Sequence, residues 1–330
     1  MIRRILGLGY LGLIGLAIVP PIAWGRAQSN SSLSGPIIGY VFNSADGSLR
    51  PLRGAVGSAT VGPPVNLGFS IKHALDLDGR RFVASTESSP NLVAIRMESG
   101  EPQILSLSVP RERYLLASAA AGGNAAAFYA PGGALSIISA LKTASPRIQS
   151  VDLDVSGDGA VTHIAISDDG NLLVYAVRYE KSESLYMWAG SDAPARLIGV
   201  ANSVGGIAIT REGAAIVADR GASEVFAIND VRNSAVRQFW ADAREGVTDP
   251  SSVAVSARNV VYVANVHSVL TLDSGGRLVR ASTCNCVPSG FHAMEDSLFR
   301  LTDGVDRTMY LMDTSGVVER FVFVPPAAAR

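Results

Sequence analysis

At 330 residues the chain is long enough for one large all-β domain or two ordinary ones, so core size sets no limit. Hydrophobic residues make up 48% and charged residues 17%, which excludes disorder as a global description. A formal net charge of −1 excludes the basic footprint that phosphate backbones require, so no nucleic-acid partner is expected.

The chain opens "MIRRILGLGYLGLIGLAIVPPIAWGRAQSNSS". Arg3 and Arg4 form a basic start, Ile5 to Val19 an apolar run, and Gly25 and Ala27 the small residues before a cleavage site. This pattern predicts a secretory signal peptide over 1–27, a short linker over 28–35, and export to the periplasm or the extracellular space. The apolar run is shorter than the roughly 20 residues of a spanning helix, so a membrane association would come only through an uncleaved signal. The string "GLGYLG" inside it matches a dinucleotide fingerprint, but that fingerprint works only between a strand and a helix N-terminus.

A hairpin follows over 36–54, turning at Asp46-Gly47, then a connecting segment over 55–70. From 71 to 324 the chain reads as short strands separated by turn residues, before a tail over 325–330. Lys72 to Val109 holds four such strands, with turns at Asp78-Gly79, Ser89-Pro90 and Ser99-Gly100. Arg113 to Leu153 repeats the frame with Gly122-Gly123 and Gly132-Gly133, and Thr162 to Val200 turns at Asp169-Gly170. The residue closing the first turn (Gly79, Gly123, Gly170, Gly213, Asn259) recurs at spacings of 44, 47, 43 and 46. A steady period of this size leaves no room for long helices and predicts four-stranded antiparallel blades arranged radially. One such sheet cannot cover its own two apolar faces, and a closed ring leaves no face uncovered. The expected fold is therefore an all-β propeller over 71–324. Six blades are preferred and seven are the alternative, the hairpin either edging the last blade or starting a partial seventh.

Two stretches are near copies: "GGIAITREGAAIVADRGASEVFAI" from Gly205 and "SSVAVSARNVVYVANVHSVLTL" from Ser251. Their match runs through Gly206-Ile207-Ala208-Ile209, Gly213 and Ile216-Val217-Ala218-Asp219. It continues through Pro250, Val253-Ala254-Val255 and Val261-Tyr262-Val263-Ala264-Asn265. These residues resemble the NHL repeat, and they depart from it at Thr210 and Ser256, where the family usually has Asp. The resemblance implies a propeller that binds partners, with a minority of such propellers acting as metal-dependent lyases or hydrolases; it reports backbone geometry rather than chemistry.

Candidate chemistry is sparse. Asp152, Asp154 and Asp158 alternate in "VDLDVSGDG" and could converge on Ca²⁺, although the position of an EF-hand's bidentate Glu holds His163; the plainer alternative is an outer strand with Leu153 and Val155 inward. His73, His163 and His292 all fall at the start of a first strand and could hold Zn²⁺ at the channel, or be ordinary structural histidines. Counting from the turns puts His163 one residue out of register with the other two, and His267 sits in a turn with no evident partner. Cys284 and Cys286 are expected to form a disulfide in an exported protein. No Gly-x-Ser-x-Gly elbow exists, and the Ser-x-x-Lys match from Ser139 to Lys142 lies in a predicted strand without companion motifs. Asp168, Asp169, Asp303 and Asp306 read as turn formers, and Trp188 and Trp240 as packing between blades.

The expectation is thus an exported, monomeric, non-catalytic scaffold that requires no cofactor and binds a protein, peptide or envelope glycan at its rim loops. The alternative is a metal-dependent hydrolase or lyase with its site in the central channel.

Overall fold

The computed structural model describes residues 35–98, 101–110, 114–153, 155, 157–190, 194–295, 297–302, 305 and 307–326. The predicted signal peptide, Asp154, Asp303 and Asp306 lie outside them. Residues from Gly35 onward form one unit of seven sheets. Six are four-stranded and antiparallel, each built from consecutive strands: blades 2 to 7 span 71–110, 116–152, 160–201, 204–241, 252–283 and 292–324. Blade 1 has three strands, Ile37–Asn43, Ser48–Arg53 and Thr60–Val61.

The ring therefore has seven blades, not the six preferred from sequence. The hairpin does not edge the last blade: it wedges between blades 7 and 2. On one side Tyr40 and Leu49 pack with Phe82 and Ala84, and on the other Val41 and Leu52 pack with Leu298 and Leu311. Tyr40 N–H donates to the Gly79 carbonyl at 2.6 Å, and Ile71 N–H to the Gly47 carbonyl at 2.8 Å. A two-residue third strand after a turn of 3-10 helix completes the wedge, within the segment expected only as a connection.

The core is divided among the seams. Seven apolar clusters exist among the described residues, and each joins two neighbouring blades. The second strands show why. Arg81–Thr86, Ala126–Tyr129, Ala215–Asp219 and Val261–Ala264 are buried at every position, because a neighbouring blade covers each face. A strand buried on both faces loses the apolar–polar alternation and reads as a continuous apolar run.

The first copy of the repeat falls on blade 5, with strands Val204–Ile209, Ala215–Asp219, Glu224–Asn229 and Val236–Ala241. Its glycine pair lets two innermost strands approach. A Cβ on Gly205 would stand 1.9 Å from the Pro250 carbonyl oxygen, and one on Gly206 would stand 2.9 Å from Val253 N. Gly205→Ala is expected to cost about 2–3 kcal/mol, the order seen for overpacking against backbone, measured as a lowered midpoint in urea.

Candidate functional site

The turns joining first to second strands crowd one end of the ring. They enclose a cavity of about 1100 Å³ lined by residues of blades 2 to 7. Its walls are polar, and most of the polarity is spent between blades. Arg80 of blade 2 donates to Glu295 of blade 7 at 2.9 Å, and Asn259 of blade 6 to Glu212 of blade 5 at 2.6 Å. Asp168 of blade 4 accepts from Gly122 N–H of blade 3 at 2.9 Å, while its neighbour Asp169 faces Arg232 of blade 5 at 4.0 Å. Asp78 is taken by Arg81 within its own turn. Among the described residues, the five acids lining the cavity are thus engaged, while Lys142 and Arg211 hold no ion pair.

Asp76 precedes by two positions Asp78, which lines this cavity. It ends the innermost strand Ile71–Asp76, and its Oδ1 accepts the Gly79 N–H at 2.6 Å. Gly79 makes that bond with φ near 74°, a conformation that favours glycine. Oδ2 is buried and has no hydrogen-bond partner. Burial pushes the carboxyl up to about 6, against the opposing pull of Arg300, the Gly79 bond and His292. Both Arg300 and His292 come from blade 7. A carboxyl so raised, with the Arg300 guanidinium near it, can take or give a proton near neutrality.

His73, His163 and His292 do lie on innermost strands, but in blades 2, 4 and 7. Among the described residues no group of three or more His, Cys, Asp or Glu side chains is arranged to hold a metal ion. His73 and His163 each directly follow a backbone bulge, which resets the face a side chain takes. His163 is half-buried, and its buried Nδ1 has no hydrogen-bond partner. Burial holds its imidazole below the ordinary histidine range, although Glu183 pulls the other way. Glu183 is itself almost inaccessible and satisfied: Arg178 pairs with it at 2.5 Å, Thr162 Oγ1 donates at 3.0 Å, and Val204 N–H at 3.2 Å. This cluster ties blade 4 to blade 5.

Asp152 ends the outer strand Arg147–Asp152, exposed, and Asp158 is exposed in the following turn, with Leu153 buried between them. Cys284 and Cys286 are bonded to each other with Cα atoms 5.1 Å apart, buried beside Tyr262, Phe299 and Met312 in the seam of blades 6 and 7. His267 has a partner after all: its Nδ1 lies 3.3 Å from the Cys286 carbonyl. Ser139 ends its strand and Lys142 stands in the following turn. Trp188 fills the seam of blades 3 and 4 and Trp240 packs in that of blades 5 and 6. Sequence reasoning missed Asp76, Arg300 and Glu183. The string "LDLDG" around Asp76 signals only a turn, and its partner Arg300 stands at the other end of the chain.

The class defined by this architecture is the seven-bladed β-propeller. No known family's sequence profile matches the chain, and no curated protein does. Solved structures do. A functionally unknown protein from Desulfotomaculum acetoxidans superposes with a TM-score of 0.56 at 13% identity, covering 88% of this chain and 100% of that one. A streptogramin B lyase gives 0.52 at 9% identity over 76% and 80% of the two chains. Catalytically inactive virginiamycin B lyase from Staphylococcus aureus, with quinupristin, gives 0.50 at 13% identity over 86% and 94%. Identities this low carry the fold and nothing of the chemistry.

Proposed function

We propose that this protein is an exported, monomeric, non-catalytic propeller that binds an acidic partner, a carboxylate-bearing peptide segment or envelope glycan, on the face formed by its first turns. The supporting observation is the imbalance in the cavity there: its acids are spent on bonds to neighbours, leaving Lys142 and Arg211 as cations without counter-charges among the described residues. A partner carboxylate would meet charge that no described acid competes for. Export rests on the signal-like start of the chain. The double variant Lys142→Glu/Arg211→Glu is expected to weaken binding of a fluorescent oligo-glutamate peptide and of oligogalacturonate at least tenfold by anisotropy. Unchanged affinity, or no binding by the wild type, would overturn the reading.

A second reading, a hydrolase or lyase working in the axial channel, is favoured by Asp76. Its raised carboxyl suits general acid–base work. A divalent cation fits poorly at this carboxylate, since Arg300 already supplies positive charge there. Elemental analysis of the purified protein separates the two forms of this reading. Stoichiometric zinc or calcium would favour a metal enzyme, and none would leave Asp76 to act alone.

A further inference from the structure

At the opposite end of the ring, the seam between blades 2 and 3 is open. The first strand of blade 3, Leu116–Ala119, has four residues where that of blade 2, Ile71–Asp76, has six. The seam is sealed on the turn side by Leu77, Ala126 and Ile138, and it gapes beyond them into a cleft of about 530 Å³. That volume lies within the range of small-molecule sites. Leu75, Val83, Leu92, Leu116 and Phe128 make its walls apolar.

Two features give the cleft a polarity. The bulge between Ile71 and His73 makes Lys72 the extra residue of its strand, so that Lys72 and His73 both line the cleft. Among the described residues, none that lines the cleft is acidic. Within the wall, Ser85 is paired across the strands with His73; it is 7% exposed, and its buried Oγ has no hydrogen-bond partner. An unpartnered buried hydroxyl is a cost that proteins ordinarily avoid unless something else supplies the bond.

We propose that this cleft binds a small amphiphilic carboxylate, of the class of medium-chain fatty acids or aryl-alkanoic acids. The apolar body lies against Leu92 and Phe128, Ser85 supplies a hydroxyl to its polar end, and Lys72 supplies the counter-charge. The site is distinct from the acidic-partner face and stands or falls without it.

The test is displacement of 1-anilinonaphthalene-8-sulfonate from the full chain by decanoate, with decanol and decylamine as controls for charge. Decanoate is expected to compete with one-to-one stoichiometry and at least tenfold more tightly than either control. Lys72→Glu is expected to weaken it tenfold or more. Ser85→Ala is expected to weaken it several-fold without lowering the melting temperature, and Ala117→Trp, which fills the mouth from an exposed position, to abolish it. Equal competition by decanol or decylamine, no competition by decanoate, or unchanged affinity in Lys72→Glu and Ala117→Trp proteins that melt like the wild type would each overturn the proposal.

Discussion

Replacing Asp219 by Ala is expected to lower the stability of the propeller by roughly 3–5 kcal/mol. Asp219 closes the second strand of blade 5, is 2% exposed, and gathers three backbone N–H groups: Asn202 at 2.7 Å, Ser203 at 3.0 Å and Ala222 at 3.1 Å. The first two belong to the link from blade 4, and the third to the turn that follows the strand. One carboxylate therefore fixes where a blade enters and how it turns back. Hydrogen bonds to a charged acceptor contribute about 1.5–3 kcal/mol each, discounted here because water reaches part of this loop once the side chain is gone. Blade 6 repeats the device with an amide: Asn265 accepts from Thr248 N–H at 3.2 Å and donates to the Gly246 carbonyl at 2.9 Å. Asp219→Asn should accordingly cost less, on the order of 1–2 kcal/mol. Urea melts at neutral pH decide it, and a loss below 1 kcal/mol in the Ala variant would show that the repeated Asp or Asn is not what holds the blade entry.

Asp76→Asn is expected to change the pH dependence of stability more than its value at any one pH. The folded carboxyl titrates near 6 against an ordinary 3.8, because burial penalises the anion. A native state that holds its proton more tightly than the unfolded chain is favoured most below pH 4, and it loses that advantage as pH rises through the interval from 4 to 6. The wild type should therefore lose up to about 3 kcal/mol relative to the Asn variant between pH 4 and pH 7, and nothing further above that. His163 works in the opposite sense. Its depressed imidazole means that the unfolded chain takes the proton first, so stability falls as pH drops below the ordinary histidine range. Subtracting the Asn variant's pH profile from that of the wild type isolates Asp76, since both proteins carry His163. A difference that does not move with pH would mean that Asp76 titrates like an ordinary carboxylate, and the acid–base reading of the channel would go with it.

The blades were legible in the sequence because each strand is bounded by residues with a local physical job. Gly79, Gly123, Gly170 and Gly213 all take positive φ at the first turn, and Asn259 does so in their place. Blade 1 was legible only as a hairpin. Its third strand is two residues long, and what makes the unit a blade is packing against residues of blades 2 and 7 that its own sequence cannot reveal. The site was less legible still. His292 begins a first strand as expected, but that strand has only four residues, so the imidazole ends up among the charges around Asp76 rather than at the far end of the ring. Asp76 and Arg300 meet because the ring closes, and closure is a property of seven sheets together. Glu183 looks like an exposed charge on a strand until the neighbouring blade covers it, when Val204 N–H and Thr162 become its partners.

Among the described residues every blade is a single unbroken stretch of chain, and no sheet borrows a strand from elsewhere. The order of folding follows from that. Blades can form one after another as the polypeptide lengthens, each finding most of its contacts within the preceding 40 to 50 residues, which keeps the search local and quick. Only the last seam, where Leu298 and Leu311 meet Val41 and Leu52, waits for both halves of the molecule.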